Sequence, residues 1–314
     1  MKTAVQEAVN WCRRIAGPEL QRWGREQALE CCRQLEEGRI VLLESMPFSL
    51  PAEAIEFLLS HRQSTSRYHK NISYRPMNDR LKGAHSASRS ETLRLRRIMG
   101  DYSRAASDFL GRLLSPYAST WALDFASFRP IEEEGRPLSL HKRNDLLHVD
   151  AFPSRPTRGS RILRIFSNIN PQKPRLWNVA GPFDAVARKY ANAAGLERIA
   201  QSAGRRPGRF NRSMRAMATQ VGWPGAGRSP YDEFMLAFHD FLKESADFQN
   251  NFGKTRIEFP AGSTWIVLTD CVAHAVLSGQ FALEQTFIVP AQALAVPDKA
   301  PISILESLCN ARLA

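Results

Sequence analysis

The side chains best placed to do chemistry in this sequence are a histidine and an aspartate two residues apart. His148 and Asp150 fall in the run LLHVDAFPSRPTRGSRILRIFSNINP. In extended backbone, positions i and i+2 leave the same face, so both project one way while Val149 projects the other. Two ligands on one face can chelate a metal, and a third must come from elsewhere in the chain. The segment DCVAHAVLSGQ supplies His274 between two strand-like runs. Two imidazoles and one carboxylate make the facial triad that suits non-haem Fe(II) and leaves positions open for a co-substrate and dioxygen. Taken alone, a His-x-Asp pair is more commonly an ordinary structural contact than a metal site. Of the other histidines, His69, His85 and His141 sit in polar stretches and read as solvated. Cys271 reads as a small buried side chain rather than a fourth ligand.

Short strands must carry these residues. From Trp121 onward the pattern is WALDFASF, DLLHVDAF, RILRIFSNIN, TRIEF, STWIVLTD, AHAVLS and FALEQTFIV, separated by Pro, Gly and charged turns. Two helical insertions interrupt them, PFDAVARKYANAAGLERIAQSAG and SPYDEFMLAFHDFLKESAD. Such a series predicts a β-sandwich or jelly roll. The N-terminal part reads as mainly helical: residues 2–15 and 20–36, a helix beginning near Ser49 and Pro51, and a long helix from Ser90 to about Leu114. GRIVLLES reads as a strand there, and residues 63–90 as a long polar loop, a length that usually signals function or disorder. The expected class is α+β, a jelly-roll core with N-terminal and inserted helices. The expected organisation is a single domain over 1–314, with a helical part at 1–120, the core at 121–290 and a C-terminal segment at 291–314.

Bulk properties bound the function. Of the 314 residues, 43% are hydrophobic and 24% charged, as in a soluble globular protein. No apolar run approaches bilayer length, and the first residues carry no secretory pattern. Five cysteines without CxxC spacing read as reduced thiols, which points to the cytoplasm. The net charge of +12 draws polyanions: nucleic acid, an anionic membrane face or a phosphorylated substrate. Because no RNP, zinc-finger or helix-turn-helix signature is present, nucleic acid is not expected.

The order of His-x-Asp strand, turn, second strand and distal His resembles the Fe(II)/2-oxoglutarate dioxygenases over roughly residues 120–290. A longer run, SFRPIEEEGRPLSLHKRNDLLHVDAFPSRPTRGSRILRIFSNINPQKPRLWNVAGPF, resembles the Kdo hydroxylase family, as do GRIVLLESMPFSLPAEAIEFLL and NISYRP. That resemblance implies a double-stranded β-helix using Fe(II), 2-oxoglutarate and O2. It implies hydroxylation at the 3-position of Kdo (3-deoxy-D-manno-octulosonic acid) on a lipid A or lipopolysaccharide precursor, with contact to an anionic membrane. His148, Asp150 and His274 would be the catalytic metal ligands. Many relatives of this type carry a basic residue about ten positions after the distal His, where this chain reads SGQFALEQTF. The co-substrate clamp must then come from elsewhere. If Asn170 ends the second strand as in those relatives, Arg164, Phe166 and Asn168 share the pocket face and Arg161 points away. Arg164 is the expected clamp, supported by Asn168 and Gln285, with a buried salt bridge as the competing reading for Arg164. Arg75, Arg129 and Arg143 are candidates for sugar carboxylates or phosphates, and Trp177 for stacking on a sugar ring. For each of these four a structural role is the competing reading. Two further alternatives stand beside the Kdo reading: the same chemistry on a protein or nucleic-acid group, and a non-catalytic basic jelly roll.

Overall fold

The computed structural model of the chain describes residues 11–61, 71–84, 88–204 and 227–314. Among the described residues eleven strands form two sheets. They are β1 (Cys12–Ile15), β2 (Ile40–Leu43), β3 (Ile72–Arg75), β4 (Arg80–Lys82), β5 (Ala122–Arg129), β6 (Arg161–Asn168), β7 (Arg175–Pro182), β8 (Lys254–Phe259), β9 (Thr264–Leu268), β10 (Val272–Ser278) and β11 (Ala282–Val289). The larger sheet runs β1-β2-β9-β6-β11-β5-β3-β4 and the smaller β10-β7-β8. Apart from the parallel β1–β2 pair, the pairings are antiparallel. The two sheets meet face to face through aromatic rings: Trp177 of β7 packs edge-on against Phe166 of β6 and Trp265 of β9, at 5.3 and 5.6 Å between centroids. This is the expected jelly-roll sandwich, and its inner residues are almost fully buried.

The N-terminal part departs from expectation. Of the helix predicted over 2–15, residues 2–10 lie outside the described residues, and Cys12–Ile15 instead form β1 alongside β2. The predicted loop over 63–90 is partly structured. Residues 62–70 and 85–87, with His69 and His85, lie outside the described residues, but β3 and β4 form a hairpin that joins β5. Strand pairing outweighs local polarity there: Ile72 and Tyr74 are buried on one face, while Ser73 and Arg75 are partly exposed on the other. The helices α1 (Gly17–Leu20), α2 (Arg25–Glu36), α3 (Ala52–Ser60), α4 (Arg89–Leu113) and α5 (Ser115–Ala118) pack around the larger sheet. The long helix α4 starts as its sequence dictates. Ser88 accepts from the Glu91 amide and the Glu91 carboxylate accepts from the Ser88 amide, a reciprocal capping box.

The inserted helices are α6 (Phe183–Tyr190), α7 (Leu196–Gly204), α8 (Pro230–Glu244) and α9 (Ala246–Asn251), and α10 (Pro301–Cys309) closes the chain. Two of them hold the segment that carries the metal-type ligands. Gln249 of α9 brackets Leu147, accepting from its amide at 3.0 Å and donating to its carbonyl at 2.9 Å. On α8, His239 bonds the Val149 carbonyl at 2.8 Å.

Candidate active site

DLLHVDAF is not a full strand. It pairs with β10 only through an isolated bridge between His148 and His274. The His148 amide donates to the His274 carbonyl at 3.1 Å and the His274 amide returns the bond at 2.9 Å. Residues in such a reciprocal pair sit directly opposite each other and project to the same side. The Asp150 amide donates to the Thr269 carbonyl at 2.9 Å, which keeps the segment extended and preserves the same-face spacing. Donor atoms of His148, Asp150 and His274 consequently lie within 4.8 Å of one another.

Hydrogen bonds orient the two rings. Nδ1 of His148 meets the Leu146 carbonyl at 2.7 Å, and Nδ1 of His274 meets the Val272 carbonyl at 2.8 Å. A ring nitrogen facing a carbonyl must carry the proton, so Nε2 keeps its lone pair for a metal. Trp177 stacks on the His274 ring at 5.0 Å and fixes its plane. Burial holds His148 well below the usual histidine range, aided by the neighbouring His274. His274 is likewise lowered by burial, against the opposing pull of Asp150. Burial alone would raise the Asp150 carboxyl, but Arg164 and the two imidazoles hold it far below the carboxylate range. Neutral imidazoles beside an ionised carboxylate are the protonation states that metal binding requires. The donor set therefore fits a divalent metal such as Fe(II).

A cavity of about 320 Å³ opens on His148 and Asp150, and its walls are strongly cationic, with Arg129, Arg155, Arg164 and Lys243. The β6–β11 register explains part of this. Thr286 lies opposite Arg164 and Glu284 opposite Phe166, so these four share one face. Arg164 reaches the Asp150 carboxylate at 3.0 Å and that of Glu284 at 2.8 Å. Arg129 binds the other oxygen of Glu284 through Nε at 3.1 Å. Arg155 is clasped between Phe125 and Phe152, its guanidinium 4.0 and 4.1 Å from the ring centres, and it pairs with Asp124.

A profile of the Kdo (3-deoxy-D-manno-oct-2-ulosonic acid) hydroxylases matches residues 20–312. The chain belongs to this family. Solved structures of the Kdo hydroxylase KdoO, a non-haem Fe(II) α-ketoglutarate-dependent dioxygenase, are closely similar. The complex with α-ketoglutarate and Fe(III) is 35% identical with a TM-score of 0.81, covering 96% of this chain and 97% of that one. The cobalt(II) complex is 36% identical with a TM-score of 0.83 over the same shares. The succinate and Fe(III) complex is 35% identical with a TM-score of 0.81. Among curated proteins, none matches the chain.

In this Kdo hydroxylase family member, some residues singled out from sequence lie elsewhere. Asn168 donates to the Lys173 and Pro260 carbonyls at 3.0 and 3.1 Å and accepts from the Asn170 amide, so it ties the strand end to a neighbouring turn. Gln285 lies opposite Ile165 and so on the other face from Arg164; its amide donates to the Asp124 and Thr286 carbonyls. Neither lines the cavity. Trp177 is 1% exposed, which leaves no face for a sugar. Arg143 is partly exposed and bound to Asp145, and Arg75 packs over Phe125 at 4.5 Å, both outside the cavity lining. Arg129 does line it. Arg161 is fully buried against Asp270 at 2.7 Å, on the opposite face from Arg164 as alternation requires.

Sequence reasoning missed Glu284, Arg155, His239 and Lys243. One signal for the last two was available, since His239 and Lys243 stand four apart on α8 and so share a helix face. His141, read as solvated, also borders the cavity.

Proposed function

We propose that the chain is an Fe(II)/2-oxoglutarate-dependent dioxygenase that hydroxylates the 3-position of a Kdo residue on a lipid-linked lipopolysaccharide precursor. One observation carries the reading: two oriented neutral imidazoles and one ionised carboxylate converge within 4.8 Å beside a cationic cavity. Family membership supplies the substrate class. The position follows from the chemistry of the sugar, since in a 3-deoxy-2-ulosonic acid C3 is the one carbon of the chain that carries no oxygen. Hydroxylation there replaces a C–H bond by C–OH without disturbing an existing functional group.

His148, Asp150 and His274 would hold the iron. With iron and 2-oxoglutarate bound, one oxygen atom of O2 enters the acceptor and the other leaves in succinate as CO2 is released. The protein's own groups bind and orient. Arg164 and Arg129 present guanidinium forks, which match the planar far carboxylate of 2-oxoglutarate. Arg164 has a second task, to hold Asp150 ionised and directed at the metal position. The aromatic clasp of Phe125 and Phe152 keeps Arg155 fixed at the cavity wall.

A peripheral membrane contact would bring the enzyme to its acceptor. Among the described residues no helix is long and apolar enough to cross a membrane. The tip of the β3–β4 hairpin supports a surface contact: Met77 is 91% exposed, with exposed Arg80 and Lys82 beside it. Basic groups near an anionic leaflet gain roughly 1 kcal/mol each. The deciding experiment is mass spectrometry of lipopolysaccharide core made with and without the protein. A gain of one oxygen on Kdo, dependent on iron and 2-oxoglutarate and lost in H148A, is expected; an unchanged core would refute the reading.

A further inference from the structure

The four cavity cations are not equivalent. Arg129 and Arg164 share Glu284, Arg164 also holds Asp150, and Arg155 is paired with Asp124. Lys243 is different. Its residue is 4% exposed, and its Nζ donates to the His141 carbonyl at 2.9 Å. Among the described residues no carboxylate pairs with it directly; Asp150, Asp240 and Asp145 act on it only at longer range. Burying an ammonium without a counter-charge is costly. An ammonium has three donors, so this one retains hydrogen-bonding capacity directed into a cavity. Burial lowers its pKa to about 8, which leaves it largely charged at neutral pH.

Its placement narrows what it awaits. Arg129 and Arg164 stand on β5 and β6 of the larger sheet and Arg155 on the loop that leads into β6, whereas Lys243 stands on α8, with His141 and Asn144 also lining the cavity wall. An arginine fork suits a planar dicarboxylate held at its far end, and the sheet wall already supplies it. A lysine is a compact point charge without bidentate geometry. In the acceptor, the carboxylate carbon is separated from C3 by C2 alone. A group that grips this carboxylate must therefore sit close to the metal ligands. Lys243 does so, since it lines the same cavity as His148 and Asp150, one helical turn from His239, which bonds the Val149 carbonyl between them.

We infer that Lys243 is the specificity-determining cation that pairs with the carboxylate of the sugar acid and so sets C3 against the metal site, while the arginine wall takes 2-oxoglutarate. This rests on the hydroxylase reading above. It predicts that the enzyme discriminates the free acid from its uncharged methyl ester, and that the discrimination resides in one side chain.

The test uses the iron-loaded protein with 2-oxoglutarate, kept anaerobic, titrated calorimetrically with Kdo and with Kdo methyl ester. K243M removes the charge and the donor at similar length; K243Q removes the charge and keeps a shorter amide donor on the His141 side. Both are expected to weaken binding of the acid about tenfold or more, the size of one charge-assisted hydrogen bond, while the ester binds within about twofold of wild type. In parallel, acceptor-free consumption of 2-oxoglutarate gives its KM, which is expected to move less than about threefold, whereas R164M moves it by about tenfold or more. Wild-type affinity for the acid in K243Q would overturn the inference. So would a K243Q penalty that falls on the KM for 2-oxoglutarate, since Lys243 would then belong to the co-substrate. Wild-type protein that binds the acid but consumes no 2-oxoglutarate would refute the hydroxylase reading while leaving the carboxylate contact standing.

Discussion

Glu284 is buried between two arginines, and replacing it with glutamine tests how the cationic wall is held together. Its carboxylate accepts from Ser127 and Thr286, both at 2.9 Å, and pairs with Arg164 and Arg129. Burial opposes its ionisation, but Arg164, Arg129 and the Ser127 hydroxyl bring its pKa down from 4.5 to about 2. A tenfold gain in acidity corresponds to about 1.4 kcal/mol, so ionised Glu284 contributes about 3 kcal/mol to stability at neutral pH. A carboxyl lowered in the folded state stabilises fully above its unfolded value. That contribution is lost as pH falls from about 4.5 through about 2. E284Q keeps the shape and leaves two buried guanidiniums without their shared anion, a change expected to cost roughly 3–5 kcal/mol. Urea unfolding of metal-free wild type and E284Q between pH 7 and pH 3 is the assay. The difference between the two should hold at about 3 kcal/mol or more down to pH 5 and shrink by roughly 2 kcal/mol by pH 3, because in the wild type alone this position takes up a proton on unfolding there. A difference below about 1 kcal/mol at pH 7, or one that does not change with pH, would refute the account of Glu284 as the counter-ion of the wall.

Other expectations follow from the same geometry. H148A and D150A should each lose stoichiometric iron binding, read by metal analysis after reconstitution, with circular dichroism close to wild type, since the backbone pairing at His148 does not need the ring; full iron occupancy in both would show the triad wrongly assigned. R161M and R164M should separate cleanly. R161M strands Asp270 and should destabilise by roughly 3–5 kcal/mol in urea unfolding with little change in the KM for 2-oxoglutarate, whereas R164M should raise that KM by about tenfold or more. The reverse pattern would mean the two faces of β6 are exchanged. Raising salt from about 0.05 to about 0.5 M should release the protein from anionic vesicles in a flotation assay, because surface charge is screened at that strength. Equal binding to neutral and anionic vesicles at low salt would remove the electrostatic contact.

Local sequence fixes the parts of this protein whose physics is local. Period-two alternation carries the strands from Trp121 onward and the facing of Arg164 against Arg161, because a pleated strand sends alternate side chains to opposite sides whatever lies beyond it. The same alternation puts His148 and Asp150 together even though their segment pairs through only one bridge. Ser88 and Glu91 mark a helix start because their capping bonds close within four residues.

Register and packing are not local, and here the fold alone decides. Gln285 falls on the wrong face because the β6–β11 register sets Glu284 and Thr286, and not Gln285, beside the arginines. Trp177 is a core ring because two sheets close over it. Cys12–Ile15 become a strand because Ile40–Leu43 offer an edge to pair with. Lys243 looks in sequence like any basic residue near a helix end. It becomes a buried cation aimed into the cavity only when α8 is laid across the metal-ligand segment, because burial and counter-charge are properties of what surrounds a side chain.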